Sequence, residues 1–158
     1  MRKSLMLLLV LLLIIPVMAK QNVGFGFTIG SDSSGIIFLL PSKSRINPEI
    51  VTSGYISDSY YNLLFGGRIL WDLGKKGIVD RYVGAGAGVF FTSIYEADSY
   101  KQDNSFWGQA LLGTKIAWQI PFLAAPIKFR NEIGFDLHNK HNNLNAATYV
   151  SLGLEYEF

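Results

Sequence analysis

The chain has 158 residues, no cysteine, 16 glycines, 14% aromatic residues and only 16% charged residues. That profile excludes a disordered segment and a disulfide-stapled scaffold and bounds the chain to one domain. The formal charge of +2 and pI near 8.8 rest on Arg2 and Lys3, in a segment expected to be removed, so the basic balance gives no argument for a nucleic-acid partner.

Residues 1–19 read MRKSLMLLLVLLLIIPVMA. A basic start, an apolar run from Leu5 to Ile15, a break at Pro16 and the small residue Ala19 follow the order of a secretory signal peptide, with cleavage expected after Ala19. A spanning helix needs about 20 apolar residues, and Lys20 and Gln21 end this run too early. Cleavage leaves residues 20–158 as the mature domain, in which 12 Lys and Arg balance 12 Asp and Glu.

The mature chain repeats a period of two. Residues 23–30 alternate Val23, Phe25, Phe27 and Ile29 with Gly24, Gly26 and Thr28. Two weaker strands are expected around 35–41 and 49–57. Residues 61–72 set Tyr61, Leu63, Phe65, Ile69 and Trp71 against Asn62, Gly66, Arg68 and Asp72, and residues 82–91 set Val83, Ala85, Ala87 and Val89 against Tyr82, Gly84, Gly86 and Gly88. In 106–118, Phe106, Ala110, Leu112, Ile116 and Trp118 oppose Gln109, Gly113 and Lys115. Residues 127–138 are the clearest case: Ile127, Phe129, Ile133, Phe135 and Leu137 lie on one face, and Lys128, Arg130, Glu132, Asp136 and His138 on the other. The last strand, 146–158, places Val150, Leu152, Leu154, Tyr156 and Phe158 opposite Ser151, Gly153, Glu155 and Glu157. This periodicity belongs to strands with one apolar and one polar face.

Eight such strands in sequence close most simply as an antiparallel up-and-down β-barrel, because closure removes unpaired edges. Three features favour a transmembrane barrel with its apolar face toward lipid. The polar face combines glycines with charges of both signs: Arg68, Asp72, Lys115, Lys128, Arg130, Glu132, Asp136, Glu155 and Glu157 are expected to form an interior network. Aromatics (Tyr61, Trp71, Phe91, Trp107, Trp118 and Tyr156) sit near strand ends, as interfacial girdles require. Finally, Val150, Leu152, Leu154, Tyr156 and Phe158 look like the carboxy-terminal β-signal read by the bacterial barrel-assembly machinery.

With the glycine-alternating stretch Tyr82-Val-Gly-Ala-Gly-Ala-Gly88, the chain resembles the small eight-stranded outer-membrane barrels of the OmpA-like and OmpX-like families. The resemblance implies location in the cell outer membrane, contact with outer-membrane lipid, and a structural or surface-interacting role. Loops at 30–35, 57–60, 92–105 and 138–145 are then extracellular, with 93–105 the expected place for a partner contact, and 41–48, 73–80 and 119–126 are periplasmic turns. No peptidoglycan-binding domain is expected after Phe158.

Other functions find less support in the residues. The run Gly84 to Gly88 lacks the spacing of a phosphate-binding loop. His138 and His141 raise the alternative of a lipid A-modifying enzyme, but no Ser adjoins either, and no third ligand stands at a metal-site spacing. No catalytic residue, cofactor or metal is therefore expected. A narrow-conductance pore and a soluble periplasmic ligand-binding barrel, with its apolar faces inside, complete the alternatives.

Overall fold

A computed structural model describes residues 23–157 apart from 32–33, 43, 58–59, 97–98, 122, 124–125 and 141–142. The expected signal peptide with Ala19, together with His141 and Phe158, lies outside the described residues. Eight strands follow one another: β1 (Gly24–Gly30), β2 (Ser34–Leu39), β3 (Ile46–Ser57), β4 (Tyr60–Lys76), β5 (Val79–Glu96), β6 (Ser99–Trp118), β7 (Ile127–Lys140) and β8 (Asn143–Glu157). Each pairs antiparallel with the next, and β8 pairs with β1 to close the barrel. Gly24 and Glu157 pair at one end, called here the proximal end. The β1–β2, β3–β4, β5–β6 and β7–β8 turns lie at the distal end.

The pleat sends successive side chains to opposite faces, and accessibility follows it: along β2, Gly35, Ile37 and Leu39 are buried while Ser34, Ile36 and Phe38 are exposed. The exposed face is the apolar one. Ile69, Leu112, Ile133 and Leu152, from four different strands, are 52–60% exposed, while Glu49, Arg130 and Glu155 are 2% exposed inside. This orientation is the reverse of a soluble ligand-binding barrel, which would turn its apolar faces inward.

Several boundaries differ from the sequence reading. The segment 93–105 is not a loop: β5 and β6 continue their ladder through Ser93↔Gln102, Ile94↔Lys101, Tyr95↔Tyr100 and Glu96↔Ser99. Its charged composition removes the apolar signature of a strand without removing the backbone pairing, which needs no particular side chain. The weak strands are Ser34–Leu39 and Ile46–Ser57, so the last three residues of the expected 41–48 turn belong to β3. Pro48 sits inside β3 and uses only its carbonyl, accepting from Leu40 N–H at 3.0 Å; proline obscured that strand in the sequence. The expected 73–80 turn shrinks to Gly77 and Ile78.

The wall is uneven. β1 and β2 have 7 and 6 residues, whereas β4, β5 and β6 have 17, 18 and 20. A tilted crossing of the bilayer takes about 9–11 residues, so the tall side exceeds one crossing and the β1–β2 side falls short of it.

Candidate functional site: the barrel lumen

The inward positions of β3, β4, β6, β7 and β8 bring charged side chains to the axis of a barrel whose interior is just wide enough for side chains to fill it. Glu49 is the hub. It accepts from Arg68 Nη2 at 2.8 Å and Nε at 3.2 Å, and from Arg130 Nη1 at 2.7 Å and Nη2 at 2.9 Å. The Arg130 fork is the planar bidentate pairing that a guanidinium favours. Arg130 also reaches Glu132 through Nε at 2.6 Å and Glu155 at 3.3 Å, and Arg68 reaches Glu132 at 3.0 Å. Lys115 joins Glu155 at 2.8 Å, and Lys128 joins Glu157 at 2.5 Å.

These ion pairs set four cations, Arg68, Lys115, Lys128 and Arg130, against four carboxylates, Glu49, Glu132, Glu155 and Glu157. Neutral donors complete the layer: Tyr82 Oη donates to Glu132 at 2.9 Å and Ser151 Oγ at 3.2 Å. The Tyr82 ring also lies under Arg130 and Lys115, 5.3 and 5.4 Å from its centroid, within cation–π reach. Room for that ring comes from Gly113, its pairing partner on β6, where a Cβ would overlap it. Desolvated charges are costly singly and tolerable only when each is paired and hydrogen-bonded, which this layer achieves.

Seven of the nine residues expected in the network are there. Asp72 and Asp136 stand on either side of the layer. Asp72 stands at the proximal rim beside a bulge, where its carboxylate accepts the Gly74 N–H at 2.7 Å and its own N–H donates to Arg45 O at 2.8 Å. Asp136 lies distal to the layer and accepts from Gln109 Nε2 at 3.0 Å; Gln109 in turn accepts from Arg68 at 3.3 Å. Glu49 was missed because its strand alternates poorly, with Pro48 before it and Thr52 and Gly54 on the outward positions. The nine expected residues held four cations and five acids, so charge balance did not betray the missing hub.

The layer divides the lumen. Distal to it lies a cavity of about 380 Å³ whose lining includes Arg68, Glu132, Asp136 and His138 beside Val51, Leu64, Phe90 and Trp107. Proximal to it lies one of about 240 Å³ bordered by Asp72, Tyr82, Lys115, Lys128 and Glu157. Trp107 is therefore not a girdle residue. At 2% exposure it packs inside with Ile37, Leu39, Val51 and Leu64, and a Cβ on Gly86 would stand 3.2 Å from its ring. Position 107 shares the inward parity of Gln109, a signal that proximity to a strand end overrode. The other described girdle aromatics Tyr61, Trp71, Phe91 and Trp118 are 36–60% exposed, and Tyr156 stands against Phe25 with ring centroids 6.4 Å apart.

His138 stacks on Phe90 at 5.0 Å and faces the distal cavity, away from the outer surface where a lipid-modifying site would need it. Among the described residues, no three His, Cys, Asp or Glu side chains converge as a metal centre would.

No family model matches this chain, and no curated protein matches it in sequence. Solved structures do match its shape. The N-terminal β-barrel domain of Pseudomonas aeruginosa OprF aligns with a TM-score of 0.59 at 12% identity, over 86% of this chain and 98% of that one. Neisserial surface protein A aligns with a TM-score of 0.62 at 12% identity, over 87% of this chain and 94% of that one. The chain shares the closed eight-stranded antiparallel barrel fold with these two structures. At this identity the likeness extends to strand number, order and closure, while the lumen residues described above belong to this chain.

Proposed function

We propose that this protein is a barrel of a bacterial outer membrane with a structural or surface-interacting role, held rigid by its ionic layer. The observation that carries the reading is the outward apolar wall on a closed barrel. Phe25, Phe65, Ile69, Leu112, Ile133, Phe135 and Leu152 would each lose water contact only by insertion, at roughly 25 cal/mol per Å² of apolar surface removed from water. Such a band flanked by aromatics matches what a lipid-spanning barrel needs, and the likeness to the OprF domain and Neisserial surface protein A supports it. Within this reading the amino-terminal segment directs export, and Val150, Leu152, Leu154, Tyr156 and Phe158 present the assembly signal to the barrel-assembly machinery. The β5–β6 hairpin, tallest at the distal end, is the place for an extracellular partner.

The layer of four paired cations favours a closed plug over a narrow pore, because a mobile ion would have to displace buried partners on all sides. The test is cell fractionation with gel mobility before and after heating. Recovery with the outer membrane and a heat-dependent shift in migration are expected; a protein that stays soluble without detergent overturns the reading.

A further inference from the structure

The outer wall carries one row of polar side chains between apolar rows. Arg81 on β5 pairs with Thr114 on β6, and Thr114 with Asn131 on β7, so the three stand side by side on adjacent strands. All have outward parity, since the residues that follow them, Tyr82, Lys115 and Glu132, are buried inside at 3%, 8% and 3% exposure. The row is bordered proximally by Val79, Ile116 and Phe129 and distally by Val83, Leu112 and Ile133. Elsewhere between the aromatic girdles, polar side chains of the described outer wall stand singly, Thr52 beside Ile36 and Phe65, and Thr148 beside Phe135.

The row climbs as it crosses the tilted strands, from Arg81 through Thr114 and Asn131 to Leu152 on β8 and Ile29 near the distal end of β1. Arg81, the third residue of β5, is at the proximal rim, where it also borders the proximal cavity. Asn131 lies two residues beyond Phe129, which stacks on Trp118 at 5.8 Å. At about 3.4 Å per residue and a tilt of about 40°, that places it about 5 Å inside the aromatic girdle. Such a depth is where headgroups give way to hydrocarbon. Among the described residues, no side-chain hydrogen bond or ion pair satisfies Arg81, Thr114 or Asn131. Polar side chains at that depth need a partner from outside the barrel, because water no longer supplies one.

The row holds one cation and no acid. A symmetric contact between two copies would set each Arg81 against an amide and leave both guanidinium groups without a counter-charge. A phosphodiester supplies the anion, and the ester carbonyls one step deeper accept from Thr114 O–H and Asn131 N–H. We infer that this row binds one glycerophospholipid of the leaflet at the proximal end, its phosphate on the Arg81 guanidinium, its ester carbonyls on Thr114 and Asn131, and its acyl chains along Leu112 and Ile133, which are 52% and 57% exposed. The planar guanidinium fork matches a phosphate in geometry and charge. Lys76, exposed on the adjoining β4–β5 hairpin, adds a second cation toward the headgroups. The inference rests on the proposed membrane location.

The full-length protein in mild detergent is titrated with phosphatidylglycerol and followed by native mass spectrometry. One lipid is expected to stay bound at activation energies that strip the others. Arg81→Gln is expected to lower that retention several-fold, and Arg81→Lys, which keeps the charge, to lower it less. Thr114→Val/Asn131→Leu should also lower it several-fold; this variant makes the wall more apolar, and its folding is checked by the heat-dependent shift in gel migration. Thr148→Val, on the same wall away from the row, should leave retention unchanged, and diacylglycerol, which has the esters without the phosphate, should be held weakly. Retention indifferent to the row substitutions, diacylglycerol held as well as phosphatidylglycerol, or a mass of two chains without lipid that Asn131→Leu removes, overturns the inference and leaves the membrane reading standing. A protein that stays soluble without detergent overturns the membrane reading itself.

Discussion

The two halves of the lumen use the same pleated sheet to opposite ends. Toward the proximal side, long charged side chains from five strands interlock, with Glu49 between Arg68 and Arg130, consume one another's hydrogen-bonding capacity and leave a cavity of only about 240 Å³. In the distal half the inward residues are shorter or aromatic, Thr92, Ser53, Tyr149, Phe90 and His138, and leave a cavity of about 380 Å³. What separates the halves is reach: Arg, Lys and Glu stems span a narrow barrel from either wall, while Ser, Thr and Asp do not. The interlocked ion pairs belong to the first half and the larger of the two cavities to the second.

That contrast breaks most directly at Glu49. Glu49→Ala strands Arg68 and Arg130 without their shared carboxylate and is expected to cost about 3–5 kcal/mol, read as a lower urea midpoint for unfolding from lipid vesicles. A loss no larger than that of a distal substitution would remove the distinction between the halves. Arg130→Ala is expected to cost a comparable amount without opening a pore, and a large rise in planar-bilayer conductance would show that the layer gates ions.

Substitution on the outer wall supplies a reference for both halves. Leu112→Arg, placed mid-strand among outward apolar residues, should cost about 2–4 kcal/mol if that wall meets the bilayer centre, measured by the same unfolding in vesicles. An unchanged midpoint would contradict a lipid-facing wall.

Packing around Tyr82 gives a smaller effect. Gly113→Ala drives a methyl into the ring that bonds Glu132, with an expected loss of about 1–3 kcal/mol. The smallest change is expected in the distal half, where Gln109→Ala removes the two hydrogen bonds that link Arg68 to Asp136; because the site borders an open cavity that water can fill, the expected cost is only about 1 kcal/mol. If Gln109→Ala matched Glu49→Ala, the network would have to extend through the whole lumen.

Much of this architecture was legible in advance, and the reason is the period of two. On β7, the alternation of Ile127, Phe129, Ile133, Phe135 and Leu137 with Lys128, Arg130, Glu132 and Asp136 assigns each side chain to a face, and the structure keeps every assignment. Where composition interrupts the pattern, legibility fails for nameable causes. Proline at 48 hid β3 and with it Glu49. Charge in 93–105 looked like a loop although the β5–β6 ladder runs through it. Trp107 was read by its distance from a strand end instead of its parity.

Period, glycine placement and the inventory of charges are local properties of the chain, and they determine eight strands, a polar face and an apolar face before any folding is considered. Which carboxylates meet which cations is a property of closure. Residues as far apart as Glu49 and Arg130, 81 positions in sequence, become partners only when β8 joins β1 and sets the stagger of every strand against the axis. The same closure placed Asp72 at the proximal rim and Asp136 on the distal side of the ion-paired layer.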